Sequence, residues 1–247
     1  MRFAELSIRH HASRKDVPRS WRATASFFLI FAAGACLAAF PSITVAKSAD
    51  SPAPPPGSIP QLTYTKVLKG SLPEYEKISV TADGAGVYDG HKLNGPSAPR
   101  DFKLSARVVQ KLFSLAAALN NFQRCSLESH KRVANLGLKT FEYAADGRQY
   151  RCEFNYSTNR TAQELSDLLE SLGAVERHII ALDYAMKYDH LGLPKELTLI
   201  QIDLNNKALV DPQLMVGALE KIAKDPRYLH LAQVRAEDIL QEIRRGR

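Results

Sequence analysis

Cys125 and Cys152 are the two cysteines that remain once the first 46 residues are set aside. Outside a reducing compartment such a pair is free to form a disulfide. The bridge would close a loop of 28 residues counted inclusively, worth about 3.6 kcal/mol on the chain-entropy estimate. Cys152 also falls on the inward face of an aromatic strand, so the plainer alternative is a buried, unreactive thiol. No C-x-x-C occurs, which argues against thiol-redox catalysis.

Five histidines lie beyond the leader: His91, His130, His178, His190 and His230. No two stand three or four apart, so neither H-E-x-x-H nor a paired zinc spacing is present. Asp189-His190 follows a helical stretch carrying Glu176, His178 and Asp183. Together with His130, the residues His178, Asp183, Asp189 and His190 form the one polar set from which the fold could assemble an acid–base or metal site. The ordinary alternative makes His190 a helix-terminal residue favoured by the helix dipole. Ser126 and Ser129 flank His130, but no G-x-S-x-G elbow supports a nucleophilic serine. The glycines from Asp83 to Gly90 sit between strand-like flanks with the third one residue late for a dinucleotide fingerprint, so they read as a hairpin. The sequence assigns no catalytic residue, no metal ligand and no cofactor.

Where these residues work is indicated by the start of the chain. Residues 1–22 carry Arg2, Arg9, Arg14, Lys15, Arg19 and Arg22 against Glu5 and Asp16. The 24 residues from Ala23 to Ala46 then have no charge. A basic start, an apolar core and small residues at Thr44 and Ala46 fit an export signal cut after Ala46. Uncut, residues 1–46 would be a membrane anchor, although Pro41 interrupts the apolar helix. Residues 47–60 form a Pro/Ser-rich linker, semi-rigid through Pro54-Pro55-Pro56. The expected location is the periplasm or cell exterior, or the inner membrane with the domain outside the cytoplasm. Membrane contact is expected only through the uncut segment.

Charge excludes a further class. The chain carries 33 basic and 26 acidic residues, a net charge of +7. More than half of that excess belongs to the leader. The remainder mixes both signs along its length, which reads as a solvated surface rather than a nucleic-acid footprint.

The elements that must position these groups follow from period and turn chemistry. Gln61–Leu68 is a strand candidate. Asp83-Gly84 and Asp146-Gly147 mark two hairpins, since Asp-Gly tolerates the positive φ of tight turns. In the second, Phe141, Tyr143, Tyr150, Cys152, Phe154 and Tyr156 share one face, the pattern of a sheet with one wet side. Between the hairpins, Ser105 is the candidate cap of a helix buried through Val108, Val109, Leu112, Leu115, Ala116 and Leu119. From Thr161 the chain turns helical, with a capping box at Thr161-x-x-Glu164 and a stop or kink at Gly173. Residues 195–205 fit a helix or a strand, with helix favoured. Asp211-Pro212 and Asp225-Pro226 read as matching helix starts, the second helix burying Leu229, Ala232, Ala236, Ile239, Leu240 and Ile243.

Tyr75-Glu76-Lys77-Ile78-Ser79-Val80, the Asp83-Gly84 turn and Gly86-Val87-Tyr88-Asp89-Gly90 resemble a hairpin of uncharacterised exported bacterial proteins, families known as domains of unknown function. The resemblance covers about 16 residues. It implies an envelope setting and brings no activity. The last two helices resemble a single HEAT-type hairpin; one unit cannot make a solenoid, so the pair reads as ordinary helix packing, with a protein-docking surface as the alternative.

The expected fold is therefore α+β. An antiparallel sheet of four to five strands packs a helix over residues 61–158, and a helical half follows over 159–247. The expected role is a non-enzymatic binding or accessory structural domain of the cell envelope, with another envelope protein as the expected partner. The alternative is a hydrolase or metal-dependent enzyme whose site forms only in the fold.

Overall fold

Alternating apolar and polar residues build one antiparallel sheet of six strands: β1 (Gln61–Val67), β2 (Tyr75–Thr81), β3 (Ala85–His91), β4 (Arg100–Lys103), β5 (Leu138–Ala145) and β6 (Arg148–Phe154). Their spatial order is β4-β3-β2-β1-β5-β6. A computed structural model describes residues 57–246. The leader, most of the linker and Arg247 lie outside the described residues, and with them the expectations of a cut after Ala46 or an uncut anchor. Among the described residues no helix is long and apolar enough to cross a membrane.

The sheet has one strand more than the sequence pattern reveals. β4 is four residues long, sits at an edge and pairs only with β3, so it is too short to carry an alternation signal. The two Asp-Gly turns fall as expected. Asp146 and Gly147 both take positive φ, 49° and 74°, joining β5 to β6 through the left-handed conformation that this residue pair tolerates. Leu62, Tyr64, Ile78, Val80, Tyr88, Phe141, Cys152 and Phe154 face one side and are buried.

α1 (Ala106–Ala118) lies between β4 and β5 in sequence and buries Val109, Leu112, Leu115 and Ala116 in the sheet core. Ser105 is its N-cap residue, but its side chain makes no capping bond. α2 (Arg160–Tyr188) starts earlier than the Thr161 box suggests. Asn159 is the cap, and its side chain accepts the Ala162 N–H at 3.1 Å. Gly173 neither ends nor kinks this helix, which continues to Tyr188. α3 (Leu193–Asn205) resolves the ambiguous segment as helix, with Pro194 in its first turn.

The two Asp-Pro starts are corrected. Asp211 has φ 54° and its carboxylate accepts the Ser105 N–H at 2.7 Å. A 3-10 turn over Pro212–Met215 therefore precedes α4 (Val216–Lys224). Asp225 is held by Arg227, whose Nε lies 3.0 Å from both carboxylate oxygens. This tie displaces the start of α5 to His230–Arg245. Leu229 consequently stays exposed, while Tyr228 is buried.

Two apolar cores result. One lies between the sheet, α1 and the first half of α2. The other joins the second half of α2 to α3, α4 and α5. α2 belongs to both: Ala162, Leu165, Leu169 and Leu172 enter the first, and Val175, Ile179, Leu182 and Ala185 enter the second. Cys125 and Cys152 lie at disulfide distance, with Cα atoms 5.6 Å apart.

Candidate functional site

Polar ties run along α2 and fix it against the sheet. Near its start, Glu170 accepts hydrogen bonds from Tyr64 Oη at 2.9 Å and Lys66 Nζ at 2.7 Å, and pairs with Lys139 at 2.8 Å. Burial works to raise the Glu170 pKa, but the bonds from Lys139 and Lys66 leave it below the ordinary carboxylate value.

One turn further, Gly173 faces the β2 strand. Glu76 of β2 is 5% exposed. Its Oε1 accepts the Tyr88 hydroxyl at 3.1 Å and also a hydrogen bond from Arg177 Nη1. A Cβ at position 173 would overlap that carboxylate and lie 3.2 Å from Arg177 Nη1. The glycine is thus the opening through which a buried acid reaches the helix and orients an arginine. Burial, followed by the Glu76 charge, raises the Tyr88 pKa and keeps its hydroxyl a donor.

Glu176 points toward β4. Its side chain is 0% exposed, and Arg100 Nε stands 3.1 Å from Oε2. Among the described residues neither carboxylate oxygen has a well-aligned hydrogen-bond donor. Burial pushes its pKa up to about 6, Arg100 opposes this, and the neighbouring Asp183 charge adds to it. Arg100 Nη1 also bonds Asp183 at 2.7 Å.

Beside these ties lies a groove of about 530 Å³. Gly90 and Tyr88 of β3 border one side. Arg177, Ile180, Ala181 and Tyr184 of α2 form a wall, and Lys195, Glu196 and Leu199 of α3 face them. Tyr184 is 61% exposed, and Ile180 and Leu199 are also open to solvent. The exposed apolar surface extends along the same helices and their turn through Tyr188, Leu191 and Ile202. Its volume lies in the range of ligand clefts and its walls are mostly apolar with a few charged groups, but the groove is open to solvent along one side.

The five residues of the candidate polar set have separate structural partners. His178 lies between Glu196 and Asp203 of α3, at 2.7 and 3.0 Å. Burial disfavours its charge, yet the bonds from these two carboxylates leave its pKa raised. Asp183 holds Arg100. Asp189 Oδ1 accepts the Gly192 N–H at 3.0 Å, in the turn before α3. His190 Nε2 lies 2.8 Å from the Met186 carbonyl. His130 is exposed in the loop before β5, with its N–H on Glu128. Only Asp189 of the five borders the groove. No group of three or more His, Cys, Asp or Glu side chains among the described residues is arranged to hold a metal ion.

Sequence reasoning missed Glu76, Tyr88, Arg100, Gly173 and Arg177. Glu76 and Arg177 are 101 residues apart, so no local motif joins them. The one available signal was Gly173 inside a strong helical pattern, which marks a close approach as readily as a stop. Compared with known proteins, the chain matches no family model and no curated sequence.

Proposed function

We propose that this chain is an exported envelope domain that works by binding, through the groove between the β2–β3 hairpin and the α2–α3 pair. The observation that carries this reading is the open apolar wall of Ile180, Tyr184 and Leu199, extended by Tyr188, Leu191 and Ile202. Exposed apolar surface concentrated beside a groove favours an interaction site. The candidate polar residues support the same reading, because His178 ties α2 to α3, Asp183 ties α2 to β4, and Asp189 holds the turn before α3. Export is supported by the basic start and the uncharged stretch from Ala23 to Ala46. Cys125 and Cys152, at disulfide distance, are compatible with that location.

Photo-crosslinking in the native envelope tests the binding reading. A benzoylphenylalanine at Tyr184 or Leu199 is expected to give a defined adduct, and one at the exposed Glu237 none. Adducts at neither groove position, or equal adducts at all three, would end this reading. Intact mass of the recovered protein tests export: a chain beginning at Lys47 is expected, and an uncut chain would make this a membrane-anchored protein.

A further inference from the structure

We infer that the groove takes a small amphiphilic carboxylate, with its acid group on Arg177 and Lys195 and its apolar body against Ile180, Tyr184 and Leu199. The inference rests on the binding reading above and names the ligand class for the same site.

The first argument is the state of the groove's charges. Its two acids are already engaged: Glu196 with His178, and Asp189 with the Gly192 N–H. Its cations are available. Lys195 is exposed and has no ion-pair partner among the described residues. Arg177 has five N–H donors; Nη1 is engaged by Glu76, and the guanidinium also interacts with the Tyr88 hydroxyl, which leaves further donors for a ligand. An incoming anion therefore finds donors on Lys195 and Arg177.

The second argument is construction. The Arg177 side chain is 39% exposed, while the side chain of its Glu76 partner is buried. Glu76 is held in turn by Tyr88 and fits only because position 173 has no Cβ. A guanidinium braced from behind and open in front is a preorganised anchor for a planar carboxylate, which it can bind bidentately. Apolar side chains cover the rest of the wall, so an ion without an apolar body would leave them wet. The groove's volume also suits a small molecule.

The test uses the protein as its host processes it, titrated calorimetrically with 4-phenylbutyrate, 4-phenylbutanol and acetate. Phenylbutyrate is expected to bind with a Kd below about 1 mM. The alcohol lacks the charge and acetate lacks the body, and each is expected to bind at least about tenfold more weakly. Lys195→Ala and Tyr184→Ser change exposed side chains, and each is expected to weaken phenylbutyrate about five- to tenfold with thermal stability unchanged. An alcohol that binds as tightly as the acid, an affinity unmoved by both substitutions, or no binding would overturn the inference. Crosslinks at Tyr184 and Leu199 together with no carboxylate binding would leave the binding reading standing and refute the ligand class alone.

Discussion

His178 Nδ1 stands 2.7 Å from Glu196 Oε1, and its Nε2 stands 3.0 Å from Asp203 Oδ2, so one imidazole of α2 bridges two carboxylates of α3. The bridge favours the charged ring in the folded state. A group whose folded pKa is raised stabilises fully below its unfolded value, here 6.5, and that contribution is lost as pH rises through the folded value. Thermal stability is therefore expected to fall as pH climbs above 6.5. His178→Asn should abolish that slope and cost about 1.5–3 kcal/mol on its acid side. Melting temperature against pH for both proteins measures it, and parallel curves would refute the assignment.

Glu176 titrates in a lower window with the same sign. Its folded pKa of about 6 lies above the ordinary 4.5 because burial disfavours the carboxylate. Stability attributable to this group is present below pH 4.5 and declines as pH rises through about 6. Glu176→Gln is expected to remove the slope in this window and leave the His178 slope above it. Denaturant unfolding at closely spaced pH values separates the two.

Gly173→Ala should reverse the usual helix rule. In an exposed helix interior this change stabilises by about 1 kcal/mol. At position 173 the new methyl group meets the Glu76 carboxylate, whose displacement would break its bonds to Tyr88 and Arg177, and the expected effect is a loss of about 1–3 kcal/mol. A double-mutant cycle with Glu76→Ala checks the cause. The penalty of Gly173→Ala should shrink once the carboxylate is gone, and an unchanged penalty would locate the strain elsewhere.

Reduction is expected to lower stability by about 3.6 kcal/mol if Cys125 and Cys152 are bridged, the value for their 28-residue loop on the chain-entropy estimate. Calorimetry with and without reductant, alongside thiol counting, measures it. Two thiols reactive before reduction would show an unbridged pair.

Local signals carried most of the fold. Asp146-Gly147 fixed a hairpin because its turn chemistry spans four residues, and the stripe of α1 was readable because helical period is local. The candidate site was not legible for the opposite reason. Glu76 and Arg177 meet only when β2 and α2 pack, and Arg100 meets Glu176 across an edge strand of four residues. Asp225-Pro226 misled because a competing partner two residues away, Arg227, claimed the carboxylate that should have capped a helix. Thr161 lost to Asn159 in a similar contest between two adequate caps.

The dual membership of α2 bears on the order in which the chain can mature. Synthesis runs from β1 onward, and the apolar side of the sheet is complete by Phe154. Its cover is not complete until Leu165, Leu169 and Leu172 have followed. Those residues share a helix with Val175, Ile179 and Leu182, which need α3 to α5 for their own burial. A nascent chain stopped after β6 would have α1 on the sheet but would leave exposed the part of the apolar face that α2 covers, as would one cleaved there. Proteolysis near Ser157 should consequently yield aggregation of the amino-terminal piece rather than a smaller stable domain.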